Sequence, residues 1–196
     1  MKTTLRAILV AAGLLLGAAA SAAPASFALP HAARLEITVG DRPGARLRSA
    51  SRNSALTLDA SLRRLIGRST VLIPASNSGF VLDTRPATVL YVRVPSNPSR
   101  PTGYCGAGTE DYLALLTIEG NRVILLDRLL VQSCLDTLEL GGELDAPSGN
   151  ATTLPFPWVA RLPGSALEAT QARCVRVAQD RLVVDDCNRM DVSQKP

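Results

Sequence analysis

Tyr112-Leu-Ala-Leu-Leu-Thr-Ile-Glu-Gly-Asn-Arg-Val-Ile-Leu-Leu-Asp-Arg-Leu-Leu-Val131 runs as two apolar segments about a polar centre. Leu113 to Ile118 and Val123 to Leu129 flank Glu119-Gly120-Asn121-Arg122. Glycine at the first central position of a two-residue loop suits a type II′ turn, whose backbone twist matches that of antiparallel strands. The stretch predicts a β-hairpin with Gly120-Asn121 as its loop and Glu119 facing Arg122.

The surrounding sequence carries the same signature. Leu35 to Val39 alternates apolar with polar residues, the period of a strand with one buried face. Gly40 to Gly44 ends it as a turn. Further strands are expected at Val71–Pro74, Gly79–Asp83, Thr88–Val94, Leu135–Leu140, Pro157–Ala160, Arg173–Ala178 and Arg181–Asp186, each short and bounded by Gly, Pro, Asn or Asp. One helix is expected near residues 59 to 66, where Leu58, Leu62, Leu65 and Ile66 recur at helical spacing. Asp59 stands at its N-terminus, Arg63 and Arg64 lie in its last turns, and Gly67 stands where a left-handed terminal residue is wanted. Many short strands without intervening helices indicate a mainly β chain, an antiparallel sandwich or barrel with one short helix.

Four cysteines, Cys105, Cys134, Cys174 and Cys187, complete the framework. In the register of the first hairpin Cys105 and Cys134 are offset by two positions, which a bulge is expected to absorb. A second hairpin centred on Asp180-Arg181 sets Cys174 opposite Cys187, Arg176 opposite Asp185 and Val177 opposite Val184, pairing opposite charges and β-branched side chains. Two disulfide-closed hairpins are therefore expected, each bridge worth about 2 to 4 kcal/mol. No Cys-x-x-Cys pair occurs and the chain's one histidine is His31, so no thiolate metal site is expected.

Such bridges need an oxidising compartment, and the N-terminus suggests one. Lys2 and Arg6 precede an uncharged apolar run from Ala7 to Ala20, followed by Ser21-Ala22-Ala23-Pro24, the pattern of a secretory signal peptide cleaved after Ala22. The run is too short for a permanent span, which takes about 20 residues. Residues 1–22 are read as the signal, 23–33 as a flexible lead-in and 34–196 as a single β-rich domain, periplasmic or secreted, without a transmembrane anchor. At 46% hydrophobic and 19% charged residues, the chain has the apolar content of a packed core rather than of disorder.

The charge is unevenly placed. Residues 34 to 68 hold Arg34, Arg42, Arg46, Arg48, Arg52, Arg63, Arg64 and Arg68 against Glu36, Asp41 and Asp59. Such a segment suits an anionic envelope surface, contacted through Arg42, Arg46, Arg48, Arg52, Arg63, Arg64 and Arg68. An exported chain is not expected to meet nucleic acid. Gly103-Tyr-Cys-Gly-Ala-Gly-Thr109 lacks the Gly-Lys-Ser/Thr ending of a phosphate loop and precedes a strand, so no cofactor is expected there.

Catalytic signatures are sparse: His31 has no accompanying Gly-x-Ser-x-Gly nucleophile. Acids between residues 110 and 145 leave a carboxylate-dependent hydrolase acting on envelope polymers as an alternative, and a structural subunit of an envelope assembly as another. The favoured expectation is noncatalytic binding of an envelope protein, as by an inhibitor or immunity protein. Two segments without regular pattern, Pro95 to Asp111 and Gly141 to Pro157, are long enough to suggest function. They supply the candidate contacts: Arg100, Tyr104, Glu110 and Asp111 from one, and Glu143, Asp145, Phe156 and Trp158 in or just past the other.

Overall fold

A computed structural model describes residues 24–76, 78–100, 102–136, 138, 153–161 and 168–186. Its strands are β1 (Ala25–Ala28), β2 (Arg34–Thr38), β3 (Gly44–Arg48), β4 (Asn53–Leu58), β5 (Val71–Pro74), β6 (Phe80–Leu82), β7 (Arg85–Pro95), β8 (Thr109–Glu119), β9 (Arg122–Ser133), β10 (Thr153–Arg161), β11 (Glu168–Ala178) and β12 (Arg181–Asp186), with helix α1 (Ala60–Gly67) after β4. Eight of them form one sheet in the order β1-β2-β3-β4-β9-β8-β7-β5, with β6 added on β7. The sheet curls until β1 lies beside β5, giving a nearly closed barrel rather than a sandwich. Gly79 marks this seam, since a β-carbon there would come within 2.7 Å of the backbone of Ala28 and Leu29.

The barrel closes because β7 and β8 are apolar on both faces. Their inward residues Leu90, Val92, Leu116 and Ile118 pack with Phe27, Leu35 and Ile37 from β1 and β2. Their outward residues Val89, Tyr91, Leu113 and Leu115 pack under a second, three-stranded antiparallel sheet, β10-β11-β12, through Leu154, Val175 and Leu182. Two polar links pin the layers together. Asp127 Oδ2 accepts the Leu182 N–H at 2.8 Å, and Arg85 joins Glu119 at 2.6 Å to Asp180 at 3.0 Å.

Helix α1 spans the end of the barrel at which β4 stops, touching β9 and β7 and burying Leu62, Leu65 and Ile66 in the interior. Asp59 is its N-cap: one carboxylate oxygen accepts the Ser61 and Leu62 N–H groups, and the other accepts the Leu125 N–H of β9. A single side chain therefore starts the helix and fixes it to the sheet. The expected left-handed terminus at Gly67 is absent. Gly67 is the last helical residue and Arg68 caps the helix in a right-handed conformation, its N–H directed at the Leu65 and Ile66 carbonyls, and Ser69 Oγ also donates to the Ile66 carbonyl at 2.8 Å.

Two further expectations are corrected, and two strands join those expected. The stretch read as a flexible lead-in forms β1, held because Phe27 is fully buried. The arginine-rich stretch forms β3 and β4: Ala45, Leu47 and Leu56 pack towards the core while Arg46 and Arg48 are exposed. Residues 134–136 form a turn rather than the start of a strand, and Leu138 makes only an isolated bridge to Ser133. Leu140 lies outside the described residues.

The first hairpin forms with Glu119 paired to Arg122. Of its two loop residues only Gly120 has positive φ, +60°, as a type II′ turn requires. Bulges at Leu115/Leu116 and Asp111/Tyr112 then advance β9, so that Tyr112 faces Leu130 and Glu110 faces Ser133. This shift widens the offset between Cys105 and Cys134 instead of absorbing it. The two meet because the chain doubles back. The Gly108 N–H donates to the Cys105 carbonyl at 3.2 Å, with Cys105 itself at φ 54°. The resulting bridge has a Cα–Cα distance of 5.7 Å.

The second hairpin also forms, in a register two residues away from the expected one. Its turn is Gln179-Asp180, with Gln179 at φ 55°, so Cys174 faces Asp185, Val175 faces Val184, Arg176 faces Val183 and Val177 faces Leu182. A two-residue slip keeps every side chain on its original face. Arg176 consequently still reaches Asp185, diagonally, at 3.3 Å. Cys174 is buried and is not a free thiol. Cys187 lies outside the described residues, so the bridge observed among them is Cys105–Cys134 alone.

Candidate functional site

Of the two irregular segments, the first is shorter than expected, because β7 extends to Pro95 and β8 begins at Thr109. The loop between them is folded on itself: Ser96 N–H donates to the Gly108 carbonyl at 3.0 Å, and Arg100 N–H to the Asn97 carbonyl at 3.1 Å. The disulfide ties this loop to the turn after β9. Gly108 permits the approach, since a β-carbon there would lie 2.6 Å from Cys134 Cβ. Tyr104 and Leu135 each adjoin one of the bonded cysteines, and both are exposed, at 73% and 49%. An aromatic ring and a leucine, large apolar groups that folding normally buries, are thus held out on a cross-linked support.

Glu110 and Asp111, expected as contacts, are structural. Glu110 is buried and its Oε1 accepts from Ser96 Oγ at 2.6 Å and from the Leu135 N–H at 3.4 Å, so it fastens the loop to the turn. Asp111 is fully buried; it takes both Nε and Nη2 of Arg93 at 2.8 Å and the Tyr91 hydroxyl. Burial and the hydrogen bond to Asp111 push the Tyr91 hydroxyl well above the usual tyrosine range, and the same carboxylate raises Arg93 further. Sequence separates these two acids from surface acids by nothing but their position in an apolar strand.

The remaining candidates divide. Arg100 is exposed in the folded loop. Phe156 and Trp158 lie in β10, paired with Arg173 and Gln171 of β11. Glu143 and Asp145 lie outside the described residues. The loop and turn border a cleft of about 280 Å³ lined by Arg68, Pro95, Tyr112, Arg128 and Leu135. Arg128 stacks over the Tyr112 ring at 5.4 Å, and neither residue gave a sequence signal, since both stand within β-strands.

The arginines do not form one surface. On the outer face of β2 and β3, Arg34 faces Arg48 and Glu36 faces Arg46. Arg48 pairs with Glu36 at 2.9 Å, Arg46 donates to Asn53 at 3.1 Å and Arg52 to Ser54 at 3.1 Å. Arg63 turns back to the Leu58 carbonyl, and Arg42 is exposed in the β2–β3 turn. Arg64 and Arg68 stand apart on α1, without an ion pair among the described residues.

At the connections β1–β2, β3–β4 and β6–β7 a second cleft, of about 400 Å³, is lined by Leu29, His31, Leu47, Ser49, Val81 and Thr84. Among the described residues no three His, Cys, Asp or Glu side chains are placed to hold a metal, and no helix is long and apolar enough to cross a membrane. No family model, curated protein or solved structure matches this chain.

Proposed function

We propose that this chain is an exported, noncatalytic binding protein of the cell envelope, which captures a protein partner at the bridged end of its barrel. The exposed pair Tyr104 and Leu135, flanking the Cys105–Cys134 bridge, carries this reading. Hot spots of protein interfaces are enriched in tyrosine, tryptophan and arginine, and an anchor presented with little freedom to lose binds at lower cost; Tyr104 is such a residue and Leu135 extends its apolar surface. A disulfide between two backbone segments removes that freedom before binding. The bridge also suits an oxidising compartment such as the periplasm or the exterior. A carboxylate hydrolase at Glu110 and Asp111 is disfavoured, because protein donors already occupy both acids.

Affinity capture from the organism's own envelope extract, with mass spectrometry, tests the proposal. The wild-type protein should retain a specific partner, and Tyr104→Ala with Leu135→Ala should weaken that retention about thirtyfold, as loss of an anchor worth roughly 2 kcal/mol requires. Equal retention by both proteins would remove the bridged end as the binding surface.

A further inference from the structure

We infer that the groove between α1 and β9 is an oxyanion site that receives a phosphate group. The groove, about 340 Å³, is lined by Arg64, Leu65 and Arg68 from the helix and by Leu126, Asp127 and Arg128 from the strand. Three arginines and one acid therefore line it, an excess of positive charge.

That acid is already committed. Asp127 Oδ1 accepts the Arg128 N–H at 2.9 Å and Oδ2 the Leu182 N–H, so its oxygens serve the bulge and the second sheet. Among the described residues none of the three arginines has a carboxylate partner.

The arrangement leaves all three side chains open to a ligand, since each arginine is exposed. Arg64 lies in the last turn of α1 and Arg68 is its C-cap, four residues further on. The helix dipole favours both arginines there, but it gives no reason for Arg128 to approach from β9. Arg128 is held by stacking on Tyr112, which presents a planar fork in a fixed place. Guanidinium forks match the oxygens of phosphate two at a time, and three forks suit a group with several equivalent oxygens. The outer face of β3 is different: Arg46 and Arg48 already have protein partners. Neither Tyr104 nor Leu135 lines this groove, although Arg68 and Arg128 also line the cleft that Leu135 borders; the phosphate test needs no protein partner and so reads the groove separately.

The test is thermal unfolding of the purified protein in increasing inorganic phosphate, compared with chloride at equal ionic strength. The melting temperature should rise saturably in phosphate and not in chloride. Arg64→Gln, Arg68→Gln and Arg128→Gln should each move the midpoint to at least about tenfold higher phosphate, the loss of one charge-assisted contact. Arg46→Gln, outside the groove, should leave it unchanged, and Arg128→Lys, which keeps charge but loses the fork, should fall between. Equal rises in both salts, or an equal loss in Arg46→Gln, would overturn the site. Sedimentation with phosphatidylcholine vesicles, with and without one-third phosphatidylglycerol, separates the sources. Binding lost in Arg68→Gln identifies a lipid headgroup, whereas a phosphate response without vesicle binding identifies a free phosphate ester.

Discussion

The two ends of the β8–β9 hairpin are built by different means. At the closed end a two-residue loop sets the pairing, and the register from Glu119–Arg122 to Leu116–Leu125 follows from it without interruption. At the open end the register has moved by two bulges, and buried acids and a disulfide hold what the turn no longer controls. Local chemistry specifies pairing over a few residues. Beyond that, tertiary partners decide, here Asp59 on the Leu125 N–H and Asp127 on the Leu182 N–H, either side of the first bulge. The exposed Tyr104 and Leu135 both sit at the end that needed tertiary help.

The contrast breaks most severely if the open end loses its cross-link. Replacing Cys105 and Cys134 together by alanine frees a loop with a sequence separation of 29 and should cost about 3.5 kcal/mol in urea unfolding. Hydrogen exchange should accelerate in residues 96–108 and 133–136 while the Gly120 end keeps its protection. Uniform acceleration along β8 and β9 would show that the two ends are one cooperative unit.

The closed end yields less. Gly120→Ala places a β-carbon at φ +60°, with nothing within 4 Å to obstruct it. The cost is then the left-handed backbone alone, about 1.5 kcal/mol. A loss as large as that of the bridge would mean that the turn governs the whole hairpin.

The legibility of the chain follows the same division. The first hairpin, α1 with its Asp59 cap, and β5 and β12 with their limits were readable because each depends on neighbours within a few residues. β1, β3 and β4 were hidden, since the sequence of residues 44–58 displays its charges while its inward leucines find partners across the barrel. The register of β11 and β12 was misread because opposite charges and β-branched pairs are satisfied equally well two residues away, where Arg176 still meets Asp185. At the candidate site, Tyr104 was legible as an aromatic in an irregular loop. The roles of Glu110 and Asp111 were not, because burial converts an acid from a contact into a fastening. Nothing local joins Arg128 to Arg64 and Arg68 either; the parallel pairing of β4 with β9 at Thr57–Arg122 and Leu58–Val123 brings the helix to that strand.

The smallest effect sharpens the comparison by isolating one bond of the open end. Tyr91 donates to Asp111 from a buried position, and burial, followed by that hydrogen bond, raises the pH at which its hydroxyl ionises. The folded chain thus holds this proton more tightly than the unfolded chain does. Its contribution is complete below the unfolded tyrosine's pKa of about 10 and declines as the pH climbs above it, where unfolded molecules alone ionise. Between pH 8 and pH 11 the wild-type protein should therefore lose about 1 kcal/mol more stability than Tyr91→Phe, which has no such proton to hold. Absorbance near 295 nm should show at least one of the three tyrosines still protonated in the folded protein when those of the unfolded chain have ionised. Parallel losses in the two proteins would separate Tyr91 from the fastening at Asp111 and leave Arg93 as its effective partner.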